Sequence, residues 1–222
     1  MCRAILQGVP VYLAMGLIQT VKVMIGFLIF SLMLQVVTFT TPGWRVLKNE
    51  TSGIVEYVAL LYDVRCDQEG CGTHLVSEDE AKKDFLFHFI TWIIEGMVPI
   101  LCSSLSLFVL ILIILKPRWQ EPFILISAWS LGIAMVLQWD LIATFIELHR
   151  LSTVGEFKLK GYSFPVPWNV VLHTISAFLT TIVMLASFLI LMNRFVVKAM
   201  AKDETEEEVV TVIDESEAES II

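Results

Sequence analysis

The stretch IGFLIFSLMLQVVTFTTPGWRV at residues 25–46 decides the fold of this chain. It is largely apolar up to residue 39 and then ends at the polar turn Thr40-Thr41-Pro42-Gly43. A helix needs about 20 mostly apolar residues to cross a hydrocarbon core of roughly 30 Å. Proline and glycine directly after such a run typically end the helix. The sequence therefore predicts a membrane-spanning helix over residues 23–39, with a tight turn at its end.

Three more apolar runs follow, at residues 85–115, 123–148 and 168–192. The whole chain is 56% hydrophobic and only 17% charged, which is too little charge for the surface of a soluble domain of 222 residues. We expect an integral membrane protein, mainly α, with a bundle of four transmembrane helices. Residues 1–198 form the membrane domain and residues 199–222 a separate acidic tail.

The beginning of the first span is ambiguous. Residues 9–20 are also apolar, and Lys22 separates them from the span. We interpret Lys22 as a boundary residue whose long side chain reaches the membrane surface, with residues 9–20 either turning back or extending the helix. A signal peptide is the rival interpretation, although no small-x-small cleavage site precedes Thr40.

The basic residues next to the spans predict the orientation in the membrane. Lys116 and Arg118 lie between spans two and three, and Arg194 and Lys198 follow span four. Because positive residues collect on the cytoplasmic side, we expect cytoplasmic N- and C-termini in a multi-pass protein of the plasma membrane. The loops at residues 40–84 and 149–167 are then extracellular. The acceptor Asn49-Glu50-Thr51 agrees with this, since it predicts glycosylation at Asn49.

The first loop carries strand and hairpin signals. Residues 53–66 show the apolar alternation and β-branched content of one long strand. Four residues then separate Cys66 from Cys71, which is the length of a hairpin loop. On an extracellular loop this pair predicts a disulfide that fixes the hairpin. A metal site is not expected, because His74 is the one further ligand type nearby.

These residues together resemble the claudin superfamily, which includes the peripheral myelin proteins, the AMPA-receptor regulatory proteins and the calcium-channel gamma subunits. Within it, the chain is most similar to the nematode Clc-like tetraspan proteins. Trp44 matches the first tryptophan of the family motif, Cys66 and Cys71 match its cysteine pair, and Gly53-Ile54-Val55 stands where the family has Gly-Leu-Trp. The resemblance implies a left-handed four-helix bundle with a small extracellular antiparallel sheet, to which residues 161–165 and their flanks add the last strand.

The resemblance also implies a function without catalysis. A claudin-like protein acts through protein–protein contacts, at a cell junction or as an auxiliary subunit of a channel or receptor. The expected partners are membrane lipids and membrane proteins, either copies of itself or channel and receptor subunits, and no nucleic acid. No nucleophile–base pair, metal-ligand cluster or cofactor loop stands out in the sequence, so we predict no enzyme, cofactor, metal or catalytic residues.

Two acidic residues inside the spans support an alternative function. Glu95 and Asp140 lie in the outer halves of their helices, and charges at membrane depth are costly and often functional. They could share a proton or pair with extracellular cations, as in a small transporter or pore. They could equally face the bundle interior, where hydrogen bonds would satisfy them.

The acidic tail is the last feature. Residues 199–222 hold one lysine and nine acidic residues, a composition typical of a disordered cytoplasmic segment. The chain ends in Ser220-Ile221-Ile222, which fits a terminus that adds as a strand to a PDZ domain, with Ser220 and Ile222 as the specific residues. A cytoplasmic PDZ scaffold is therefore a further predicted partner.

Overall fold

The computed structural model describes residues 3–75, 83–116, 120–154 and 161–219. Within these ranges the chain forms four long helices, α1 (Arg3–Thr40), α2 (Lys83–Leu115), α3 (Gln120–Val154) and α4 (Trp168–Glu219). Each helix holds a stretch long and apolar enough to cross a membrane, namely Gly16–Thr40, Ile90–Leu115, Gln120–Leu151 and Trp168–Val197. This architecture agrees with the predicted four-span membrane protein, although most of the apolar stretches are longer than the predicted spans.

The helices form a bundle in which α1 and α3 each pack between α2 and α4. One end of the interior is an apolar cluster built around Leu28, Leu110 and Leu131, each no more than 1% exposed. The outer surface of the bundle is also apolar, and Trp129 and Leu189 are 70% and 67% exposed. Large apolar side chains on the outside match a lipid environment, because in water a continuous apolar surface drives association.

Helix α1 is continuous from Arg3 to Thr40. Residues 9–20 therefore extend the first helix, and the alternative of a turn-back is wrong. Lys22 lies on the exposed surface of this helix. An isolated lysine does not interrupt a helix, since its long stem can lie along the apolar surface while the ammonium reaches more polar surroundings.

Five short strands form one antiparallel sheet beyond the end of α1. They are β1 (Arg45–Asn49), β2 (Val55–Val58), β3 (Tyr62–Cys66), β4 (Cys71–Leu75) and β5 (Tyr162–Ser163), and their order across the sheet is β4-β3-β2-β1-β5. Strand β5 comes from the loop between α3 and α4 and pairs with β1. The prediction that residues 161–165 supply the last strand is thus confirmed.

The long strand predicted over residues 53–66 is wrong, because the chain reverses in its middle. Strands β2 and β3 pair with each other, and the Ala59 amide closes the turn by donating to the Tyr62 carbonyl at 2.8 Å. Ala59 and Leu60 are 4% and 1% exposed, so this half of the turn is buried, while Leu61 is 37% exposed. The apolar residues that fit the predicted strand instead lie in this turn, where they contact the bundle.

Helix α4 continues through the acidic segment as far as Glu219, where the sequence predicts a disordered tail over residues 199–222. Residues 199–219 contain neither glycine nor proline and are rich in Glu, with three Ala, and both residue types have high helix propensity. The predicted PDZ-binding residues Ser220 and Ile222 lie outside the described residues.

Candidate functional site at the sheet end of the bundle

Trp44 joins the sheet to the bundle. It precedes β1, is 1% exposed, and its indole Nε1 donates a hydrogen bond of 2.7 Å to the Thr38 carbonyl at the end of α1. The indole centroid lies 4.8 Å from the ring of Phe145 on α3 and 5.1 Å from that of His173 on α4. The tryptophan that the family resemblance singles out therefore contacts three of the four helices.

Two side chains of α4 hold the end of α1. Asn169 Nδ2 donates to the carbonyls of Thr38 and Thr41, at 3.2 Å and 2.7 Å, and His173 Nδ1 lies 3.0 Å from the Thr38 hydroxyl. The last carbonyls of a helix have no partner within the helix. Asn169 supplies a partner for one of them, that of Thr38, and for the carbonyl of Thr41 just after the helix. Both α4 side chains are buried, so this clamp fixes where the chain leaves α1 and enters the sheet.

Close packing around two glycines completes the junction. Gly43 has φ +140°, and a Cβ at this position would overlap the indole of Trp168. A Cβ at Gly96 on α2 would lie 2.8 Å from Phe39 and 3.1 Å from Leu60. Gly96 thereby leaves room for the β2–β3 turn to rest on α2.

The two faces of the sheet differ in composition. Tyr62 lies on the face turned to the bundle, and its hydroxyl donates to the Thr40 carbonyl at 2.8 Å. The strand register places four charged residues on the opposite face, which we call the outer face: Arg45, Glu56, Asp63 and Arg65.

Charges of opposite sign are neighbours on the outer face. Glu56 is directly opposite Arg65 on the adjacent strand, a favourable cross-strand pair. Burial lowers the pKa of the Arg45 guanidinium, and the nearby Glu56 opposes that shift. Arg45 also lies over the Phe164 ring, with 5.8 Å from Cζ to the centroid. The outer face is thus an ordered pattern of charges on a fixed backbone.

The predicted disulfide is present. Cys66 and Cys71 face each other at the end of the β3–β4 hairpin, with an S–S distance of 2.05 Å. Inside the loop, the Asp67 carboxylate accepts hydrogen bonds from the amides of Glu69 and Gly70, at 2.8 Å and 3.1 Å. The hairpin tip is exposed and held by both covalent and hydrogen bonds.

The predicted acceptor Asn49 ends β1 and begins the turn to β2. Its side-chain oxygen accepts from the amides of Thr51 and Ser52, at 2.9 Å and 3.0 Å. Gly53 closes the turn with φ +72°, a backbone conformation that favours glycine. Asn49 therefore lies at the start of an exposed turn of the sheet. Its glycosylation stays a prediction.

The structure brings Glu95 and Asp140 together at the seam of α2 and α3. Their carboxyl groups lie close enough for their charges to interact. Glu95 is 6% exposed and its Oε2 has no hydrogen-bond partner, whereas Asp140 is exposed on the surface of the bundle. A carboxylate accepts hydrogen bonds and donates none, so the two groups can bond to each other only when one of them carries a proton.

A set of buried polar side chains, which the sequence analysis missed, runs through the bundle below this junction. We call it the polar seam, and it consists of Ser31, Gln35, Thr38, Ser103, His173, Ser176 and Thr180. Ser31 Oγ lies 2.8 Å from the Ser176 hydroxyl and 2.9 Å from that of Thr180, and Gln35 Nε2 donates to Ser31 and to Ser103. Hydrogen bonds of this kind are a main source of helix–helix specificity in membranes.

A signal for the seam exists in the sequence. Residues 31, 35 and 38 on α1, and 173, 176 and 180 on α4, recur at the three- and four-residue spacing of one helix face. The outward face of each helix is apolar, so the usual amphipathic pattern is inverted. Three buried side chains of the bundle have polar atoms without a hydrogen-bond partner. They are Gln35 at Oε1, His173 at Nε2 and Gln138 at both amide atoms.

Metal binding finds no support in the part of the chain that the structure describes, where no three His, Cys, Asp or Glu side chains form a group able to hold an ion. No protein-family model matches this chain, and no curated protein matches it. The resemblance to the claudin superfamily therefore rests on the Trp44 and Cys66–Cys71 pattern.

Proposed function

We propose that this chain is a non-enzymatic, claudin-like protein of the plasma membrane that acts through protein–protein contacts made by its extracellular sheet. It works either at a cell junction or as an auxiliary subunit of a channel or receptor. Both termini are cytoplasmic in this proposal, the sheet end is extracellular, and Asn49 is glycosylated.

The observation that carries the proposal is the way in which the sheet is mounted. Trp44, Asn169 and Tyr62 use their polar atoms to bind the backbone at the end of α1. These bonds anchor the sheet to the bundle, so the charged outer face and the exposed hairpin tip are held in fixed positions. A pre-organised surface loses little entropy on binding, which favours its use as a recognition surface.

The proposal is tested by exchanging two charges of the outer face. Glu56 and Arg65 are cross-strand neighbours, so the double variant Glu56→Arg/Arg65→Glu keeps opposite charges at these two positions and the same net charge but inverts the local pattern. We expect this variant to fold and reach the cell surface, yet to lose most of the partner recovered from native membranes in mild detergent. A matched control is Ile133→Leu, a conservative change at a position 50% exposed on the helix surface.

The recovered partner decides between the two roles. A stoichiometric channel or receptor supports the subunit role, and self-association with enrichment at cell borders supports the junctional role. Recovery of the same partner in the same amount from the charge-exchanged variant and from the wild type would contradict a contact through the outer face.

The neighbouring carboxyl groups of Glu95 and Asp140 favour a second candidate function, a small transporter or pore that carries protons or cations. Two adjacent carboxyl groups, one of them buried with an unpartnered oxygen, can bind and release a proton within the membrane. The test is cation and proton flux into liposomes containing the purified chain. The Glu95→Gln/Asp140→Asn variant should abolish a flux that depends on the pair, and absence of any flux above that of empty liposomes would exclude this candidate.

A further inference from the structure

A groove between α3 and α4 lies at the bundle end opposite the sheet. It has a volume of about 240 Å³ and is lined by Glu121, Pro122, Leu125, Leu191, Arg194 and Phe195. Ligand pockets for whole drug-sized molecules are about 300–1,000 Å³, so this groove can take part of a flexible molecule rather than all of it. No function proposed above uses it.

The walls of the groove suit a hydrocarbon chain. Leu125 and Phe195 are 43% and 60% exposed on the surface of the bundle, and Leu191 forms the buried floor. These residues lie within the apolar stretches of α3 and α4. The groove therefore opens where a membrane would present acyl chains.

The polar end of the groove suits a phosphate. Arg194 is half-buried and donates a hydrogen bond to the side-chain oxygen of Gln120. A guanidinium has five N–H donors in a planar fork, so this one bond leaves donors for a phosphate in the bidentate geometry that arginine favours. Gln120 also begins α3, and the positive end of a helix dipole favours an anion.

The depth of Arg194 matches that of a lipid headgroup. In the sequence, Lys198 follows the apolar residues 195–197 of α4, and Lys116 and Arg118 precede α3. Three residues of helix correspond to about 4.5 Å, which places the guanidinium just inside the end of the apolar surface. Phosphate groups of a bilayer lie at this boundary, with their acyl chains directed along the helices.

We propose that the α3–α4 groove binds one glycerophospholipid, with an acyl chain against Leu125, Leu191 and Phe195 and the phosphate on Arg194. Among the described residues that line the groove, Glu121 is negative and Arg194 is positive, so the charges of the lining do not by themselves select anionic lipids. Recognition depends on the phosphate itself and on the fit of the chain.

The test compares two lipids that differ in the phosphate headgroup. The purified full chain is examined by native mass spectrometry with added dioleoyl phosphatidylethanolamine or with diolein, which has the same chains and no phosphate. We expect the phospholipid to be retained about tenfold better by the wild type, the scale of one or two hydrogen bonds to a charged group. Arg194→Gln should remove this preference, and Arg194→Lys should keep part of it.

Two further variants keep the result interpretable. Lys116→Gln removes an exposed charge just beyond the apolar stretch of α2 and should leave the preference unchanged. Leu125→Trp fills the groove from an exposed position and should reduce retention of both lipids while Arg194 stays in place. Equal retention of phospholipid and diolein by the wild type, or an unchanged preference in Arg194→Gln, would overturn the proposal.

Discussion

Replacing Trp44 by phenylalanine should loosen the junction between sheet and bundle without unfolding the helices. The smaller ring keeps contact with Phe145 and His173 but loses the 2.7 Å hydrogen bond to the Thr38 carbonyl. That carbonyl still accepts from Asn169 at 3.2 Å, so no buried acceptor is left without a partner.

The magnitude follows from these contacts. Loss of one buried hydrogen bond with its acceptor still satisfied costs about 1 kcal/mol. The space left by the smaller ring adds about 1 to 2 kcal/mol, because a well-packed site relaxes only in part. We therefore expect a loss of about 2 to 3 kcal/mol in the free energy of unfolding for Trp44→Phe, and about 4 to 5 kcal/mol for Trp44→Ala.

Trp129→Phe provides the matched control, since Trp129 is 70% exposed on the surface of the bundle. The assay is an SDS titration in mixed micelles followed by far-UV circular dichroism, combined with hydrogen exchange of the sheet amides. Trp129→Phe should change the unfolding free energy by less than about 0.5 kcal/mol. An equal loss in Trp44→Phe and Trp129→Phe would refute the assignment of Trp44 as the anchor.

Three further substitutions test separate features by the same titration. Gly43→Ala should lower the free energy of unfolding by about 3 kcal/mol or more, because of strain at its positive φ and overlap with the neighbouring indole. The control Gly132→Ala should raise it by up to about 1 kcal/mol, because this helix position has room for a Cβ. Gln138→Leu should be neutral or stabilising by about 1 kcal/mol, since neither amide atom has a partner; a loss above about 2 kcal/mol would contradict this. Replacing Cys66 and Cys71 by serine should cost about 2 kcal/mol, as expected for so short a closed loop, with faster hydrogen exchange confined to β3 and β4.

The helices could be predicted from the sequence because crossing a membrane imposes a local requirement. Length and apolarity alone identify each span, and the Cys66–Cys71 hairpin follows equally from spacing within a few residues. These features depend on short-range chemistry that a single stretch of sequence contains.

The features that could not be predicted depend on contacts between distant residues. By its sequence alone, Leu60 fits a strand, but in the structure it packs beside Phe39 and Gly96. The chain turns at this contact, so two strands form where one was predicted. The α3–α4 groove likewise needs Leu125 and Arg194 from different helices. The polar seam could be predicted only in part. The spacing of its residues along α1 and α4 is visible in the sequence, but the hydrogen bond between Ser31 and Ser176 is not.

The central claim is that a bundle of four spans displays the sheet outside the cell, and antibody access to the β1–β2 turn tests it most directly. An epitope inserted after Ser52 lies in an exposed turn, where insertions are well tolerated. The account predicts staining of this epitope on intact cells, while a tag at the C-terminus of the same protein is stained only after permeabilisation. Staining of the turn epitope only in permeabilised cells would contradict the account.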